Sequence, residues 1–97
     1  MITIIKEENS ELLFTVRKYN ATATYQVQLN RVGYEEINTI TLSNVQVYAG
    51  RALKFNTDLS SYTEASYNYV LKENESEVDN GTFYFLNLNT NEDSVYL

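Results

Sequence analysis

Apolar residues fall at every second position through most of this chain. Leu12, Phe14 and Val16 alternate with Leu13, Thr15 and Arg17, and Tyr25, Val27 and Leu29 alternate with Thr24, Gln26, Gln28 and Asn30. Val45, Val47 and Ala49 stand against Asn44, Gln46 and Tyr48, and Ala65, Tyr67, Tyr69 and Leu71 against Ser66, Asn68, Val70 and Lys72. Phe83 and Phe85 share a side opposite Thr82, Tyr84 and Leu86. Successive side chains of an extended chain point to opposite faces, so a period of two describes strands with one dry and one wet face. No window of useful length repeats apolar residues at spacings of three and four, and Thr, Tyr, Val, Ile and Phe suit a pleated surface. The pattern predicts strands over 2–6, 11–19, 23–31, 36–42, 45–49, 51–57, 65–73 and 81–88, with a ninth at 93–97.

The links between these strands carry turn chemistry. Asn9-Ser10 and Asn20 to Thr22 are turn-like, Val32-Gly33 reads as a turn or bulge, and Gly50 either separates 45–49 from 51–57 or bends a single strand. The hairpin joining 65–73 to 81–88 runs through Asn74-Glu-Ser-Glu-Val-Asp-Asn80-Gly81, and Asn80-Gly81 is the pair best suited to positive φ, so the return strand is expected to begin there. About seven to nine short strands without a helix give an all-β domain, and the alternating wet face favours an antiparallel β-sandwich. Residues 1–97 form one domain, because halves of that length could not each bury a core.

Composition narrows the chemistry. There is no cysteine and no histidine, which removes disulfides, thiol nucleophiles, Ser–His triads and the usual zinc and haem ligands. Thirteen acidic against seven basic residues give a net charge of −6, which disfavours a nucleic-acid surface. No apolar stretch reaches the ~18–20 residues of a membrane helix, and the opening Met1-Ile-Thr-Ile-Ile-Lys6-Glu-Glu turns acidic too soon for a signal peptide or an amphipathic anchor. The chain is therefore expected to be soluble, made inside a cell and not membrane-bound. The triplets Asn20-Ala-Thr22, Asn74-Glu-Ser76 and Asn80-Gly-Thr82 are chance matches to a glycosylation signal in a chain rich in Asn, Ser and Thr.

Each candidate constellation has a plainer explanation. The acidic run Glu73, Glu75, Glu77 and Asp79 reads as a solvated hairpin tip; it does not follow the spacing of an EF-hand loop, and no metal site is assigned to it. Glu92-Asp93 is read the same way. Glu35-Glu36 would point to opposite faces of a strand and so could not flank one glycosidic bond. Neither nucleophile, base nor cofactor motif is visible, so the expectation is a protein without catalytic residues or cofactors. Arg17-Lys18 would approach Arg31 if the second and third strands paired, and otherwise serve to protect a sheet edge. Of nine tyrosines and four phenylalanines, Tyr67, Tyr69, Phe83 and Phe85 are expected inward as cross-strand pairs with phenols reaching the rim. Tyr34, Tyr62 and Tyr96, at turn-like positions, and Tyr48, on a polar strand face, are the candidates for partner contact.

Two stretches resemble a known family. Tyr62-Thr-Glu-Ala-Ser-Tyr67-Asn-Tyr69-Val-Leu-Lys-Glu, the acidic turn and Gly81-Thr-Phe83-Tyr-Phe85 resemble the penultimate hairpin of small β-sandwich virion proteins of tailed bacteriophages, which are similar to immunoglobulin-like domains. Met1-Ile-Thr-Ile-Ile-Lys-Glu-Glu-Asn-Ser-Glu-Leu-Leu-Phe-Thr-Val resembles their first two strands. The central segment from Gly33 to Ala49 and the Asn-rich tail after Phe85 depart from the pattern. The resemblance implies an immunoglobulin-like sandwich and a non-enzymatic structural role in a virion. It leaves open a capsid decoration or auxiliary protein, or a tail or head–tail component, with major capsid or tail proteins as partners and a homo-oligomer also open. It carries over packing positions and no functional residues. Abundant Tyr, Asn and Thr favour a carbohydrate-binding or adhesin-type sandwich as the alternative.

Overall fold

In the computed structural model, which describes residues 2–87, the alternating segments become eight strands. They are β1 (Ile2–Lys6), β2 (Ser10–Thr15), β3 (Tyr25–Arg31), β4 (Ile37–Thr41), β5 (Gln46–Tyr48), β6 (Ala52–Thr57), β7 (Ala65–Glu73) and β8 (Ser76–Asn87). The ninth strand expected at 93–97 lies outside the described residues. Among the described residues no helix is long and apolar enough to cross a membrane.

The strands form a five-stranded sheet in the order β1-β8-β7-β3-β4 and a three-stranded sheet in the order β2-β6-β5. Neighbours are antiparallel except β1, which runs parallel to β8 with Ile4 opposite Phe85. Strands β3, β7 and β8 together on one sheet, with β2, β5 and β6 on the other, reproduce the immunoglobulin arrangement, and β4 extends the first sheet as in variable-type domains. The corner entering β7 agrees. The Tyr67 hydroxyl donates to the Thr63 carbonyl at 3.0 Å, which is the tyrosine corner of that fold. Two residues on, where a disulfide-linked domain would have its cysteine, Tyr69 meets Phe14 of β2 edge-on with ring centroids 5.5 Å apart. An aromatic contact stands where the inter-sheet disulfide would be.

The inward residues follow the alternation. Leu12 and Phe14 of β2, Leu53 and Phe55 of β6, Val27 and Leu29 of β3, Tyr67, Tyr69 and Leu71 of β7 and Phe83 and Phe85 of β8 are all buried. The four rings expected as cross-strand pairs stack diagonally, Tyr69 on Phe83 at 4.2 Å and Tyr67 on Phe85 at 4.6 Å. Segment 16–19 leaves the predicted second strand because its amides bond the β5–β6 turn: Val16 N donates to Arg51 O and Tyr19 N to Gly50 O, each at 2.7 Å. Strands β5 and β6 pair antiparallel across that turn, so 45–57 is a hairpin and not one bent strand.

The β7–β8 hairpin differs from expectation. Its turn is Asn74-Glu75, with φ of 49° and 73°, and β8 starts at Ser76. Positive φ at both central residues is the primed turn whose twist matches antiparallel strands. Asn80-Gly81 lies inside β8 with Gly81 opposite Tyr69, and glycine is needed there for room: a Cβ would sit 2.8 Å from Tyr69 Cε2. The acidic run is therefore a solvated tip only in part: Glu75, in the turn, and Glu77 are exposed, whereas Glu73 and Asp79 are partly buried and hydrogen-bonded. The register shifts between Leu71 and Lys72, so that Leu71 faces Asp79 and Lys72 faces Glu77, with Val78 the extra residue of a bulge. Glu73 accepts from the Tyr25 hydroxyl at 2.5 Å. Asp79 accepts from the Tyr69 hydroxyl at 3.2 Å and from Thr15 N at 3.4 Å, linking the two sheets. Among the described residues no group of three or more acidic, His or Cys side chains is placed to hold a metal ion.

Two predictions arise from these buried polar groups. Burial first, and then the Asp79 carboxylate, push the Tyr69 phenol up to about 12 from its ordinary 10.0. A phenol harder to ionise in the folded state adds stability that is complete below its unfolded pKa and disappears as the pH rises through the folded one. Wild-type unfolding free energy is therefore expected to fall between pH 10 and about 12, and Tyr69→Phe to flatten that decline, as read by urea titrations across the range. At the β1–β2 crossover, the buried Ser10 hydroxyl accepts from Glu7 N and donates to Ile5 O, both at 2.8 Å. Ser10→Ala strands both groups and should cost about 1–3 kcal/mol in the same assay.

Candidate binding surface

Arg31 ends β3, and a tight turn follows. Tyr34 N donates to Arg31 O at 3.0 Å, and Gly33 has φ of 91°, the left-handed value that the third residue of a type II turn requires. The turn folds Tyr34 back so that the Arg31 guanidinium lies 4.2 Å from its ring centroid, a cation–π contact at an exposed site. Asn30 holds the rest of the connection, its amide donating to Tyr34 O at 2.7 Å and Glu36 O at 2.9 Å. Glu35 and Glu36 thus lie in a link before β4, outside any strand, and both are exposed.

The second wall comes from the β6–β7 connection. Asp58 accepts from both the amide and the hydroxyl of Ser60, at 2.9 and 2.6 Å, and these bonds hold its carboxyl below the usual range. Leu59 is fully buried beneath this turn and its carbonyl accepts from Tyr62 N at 3.0 Å. The Tyr62 ring stands edge-on to Tyr67 and Phe85, at 5.8 and 5.7 Å, and burial raises its phenol pKa. The residue is partly buried by this packing and also faces a groove of about 370 Å³ that Arg31, Tyr34, Asn38 and Ser61 line with it.

Tyr34, 56% exposed, stands at the corner between this groove and the outer face of the five-stranded sheet. There it joins Ile37 and Val70, with the amides of Gln28, Asn30 and Asn68 between them. A cationic group, two phenols, a hydroxyl and amides beside a small apolar strip, with the Glu35 and Glu36 carboxylates on its border, can bind by stacking and hydrogen bonding.

Two of the four tyrosines singled out from sequence are therefore neighbours across one groove. Tyr48 is separate: it belongs to β5 of the other sheet, with its hydroxyl donating to Gln46 Oε1 at 3.0 Å. Tyr96 lies outside the described residues. Arg31 does not approach Arg17-Lys18, because β2 and β3 belong to different sheets. Arg17 and Lys18 border a recess with Glu73 and Glu77. The contribution of Arg31 was not evident from sequence, although Arg-x-Gly-Tyr at a predicted turn is a signal for it.

No family model and no curated protein sequence matches the chain. Among solved structures it is similar to an uncharacterized protein from Bacillus anthracis strain Ames, at 15% identity and a TM-score of 0.47, over 88% of this chain and 76% of that one. It is also similar to a chain of the ZIG-8–RIG-5 IG1–IG1 heterodimer, at 13% identity and a TM-score of 0.43, over 88% and 80% respectively.

Proposed function

We propose that this chain is a non-enzymatic structural protein of a tailed-phage virion, a capsid decoration or auxiliary protein that attaches through the corner built by Arg31, Tyr34 and Tyr62. The observation carrying this reading is the placement of exposed aromatic and apolar groups at one corner of a rigid sandwich, bordered by short amides. A repeating lattice supplies many copies of the same contact, so a modest area is sufficient for retention. The virion itself enters from the sequence resemblance of the first two strands and of the β7–β8 hairpin, and a tail or head–tail position uses the same surface. Mass spectrometry of purified particles is expected to find the chain in fixed stoichiometry with a major capsid or tail protein. Its absence from particles of the phage that encodes it would overturn the proposal.

A glycan-binding or adhesin-type module is the second reading, favoured by Tyr34 and Tyr62 facing one groove with Asn38 and Ser61. It requires saturable binding of a glycan to the isolated chain that Tyr34→Ala and Tyr62→Ala each abolish. A glycan array without a saturable ligand would dismiss it.

A further inference from the structure

Four strands form the edges of the two sheets, and three of them carry features that discourage pairing with another chain. Strand β1 ends at Lys6 and runs into Glu7 and Glu8, and β2 carries Glu11. Strand β5 has three residues, bracketed by Asn44 and Ala49 at φ of 55° and 54°, which turn the chain away at both ends. Charge, brevity and irregular backbone are the usual guards of an edge. Strand β4 has none of them within its own residues, although Glu35 and Glu36 precede it. Its sequence Ile37-Asn-Thr-Ile-Thr41 contains no charge, no glycine and no proline, and among the described residues its one strand partner is β3.

The backbone phase shows what this edge offers. Leu42 N donates to Tyr25 O at 2.9 Å, so the paired amides alternate back through Ile40 and Asn38. The N–H and C=O groups of Ile37, Thr39 and Thr41 consequently point away from β3, along the open edge. The side chains of the same residues lie on the outer face, where Ile37 is 57% exposed.

We infer that β4 pairs antiparallel with β4 of a second copy, about a two-fold axis through Thr39, to make one continuous sheet. A strand is its own complement in this register. Thr39 exchanges both backbone bonds with Thr39 of the second copy and Ile37 does so with its Thr41, which lays the exposed isoleucine beside a threonine methyl. Charge permits it: Glu36 would stand across from Leu42 and Glu35 from Ser43, so no like charges are opposed. A five-residue edge buries less than the ~1,200 Å² of a standard interface, so the dimer is weak in isolation and gains from many copies on a surface. The inference holds whichever large partner carries the chain.

Sedimentation equilibrium of the full chain up to about 1 mM, the range for a contact of this size, tests it. Wild type is expected to move toward twice the monomer mass with concentration. Thr39→Pro removes an outward N–H that β3 does not use, which an edge strand tolerates, and should weaken self-association about tenfold or more. Thr39→Lys and Thr39→Glu place like charges on the axis and should each be monomeric, while their equimolar mixture regains the dimer, which a misfolded variant could not do. A wild-type monomer at every concentration, a Thr39→Pro that dimerises as wild type does, or a mixture no heavier than its components would overturn the inference.

Discussion

Phe83→Ala is expected to lower the unfolding free energy by about 3–5 kcal/mol, the range for removing a large ring from a packed core. Its ring is fully buried, stacks on Tyr69 at 4.2 Å and meets Phe14 at 5.9 Å, so it joins both sheets at the point where a disulfide would otherwise cross. Total stability of a domain this size is about 5–15 kcal/mol, so the loss is a large share of it. Urea denaturation should show the midpoint falling by that loss divided by the slope, with little change in the slope itself. Phe83→Leu keeps most of the volume and should recover more than half of the loss. A cost for Phe83→Ala below about 1 kcal/mol would place the ring outside the core.

Gly81→Ala should cost about 1–3 kcal/mol although it adds a single methyl group and changes no positive φ. The added carbon would lie 2.8 Å from Tyr69 Cε2 and 3.0 Å from the Tyr69 hydroxyl oxygen. A free tyrosine would swing aside. This one is held by Phe83 on its face, Phe14 at its edge and Asp79 on its hydroxyl, so relief requires moving the pair of strands. In a Tyr69→Leu background the same substitution should cost much less, and the coupling read by a double-mutant cycle isolates the contact. Equal costs in both backgrounds would show that the glycine serves some other purpose.

This glycine also marks how far the sequence could be read. Asn80-Gly81 has the composition of a hairpin turn, and nothing local distinguishes it from a glycine kept small for a ring on the neighbouring strand. The actual turn, Asn74-Glu75, places a glutamate at φ of 73°, a position where composition points to glycine. The bulge at Val78 follows from that earlier turn, because one added residue brings Asp79 back under Tyr69. Strand positions were legible because a period of two is written in each segment separately. The parallel pairing of β1 with β8 and the separation of β2 from β3 depend on residues far apart in sequence, which alternation does not encode.

The candidate surface was legible to a similar degree. Tyr34 and Tyr62 stood out as aromatic residues at turns, where a side chain has no strand face to share. That they face one groove depends on the corner at Tyr67 returning the 58–64 link beside the 32–36 link. Arg31 reads as one more scattered base until Gly33 folds Tyr34 beneath it. Tyr48 has the same exposure and composition cues, yet β5 carries it on the other sheet.

Amide hydrogen exchange on the chain free and bound to the virion proposed to carry it tests the central claim most directly, that the Arg31–Tyr34–Tyr62 corner is the part that grips a large partner. The account predicts that binding slows exchange at 31–36 and 60–63, while the remaining loops, including 74–75 at the hairpin turn, exchange as they do in the free chain. Protection confined to the three-stranded sheet and Tyr48, or none at the corner on saturated particles, would contradict it.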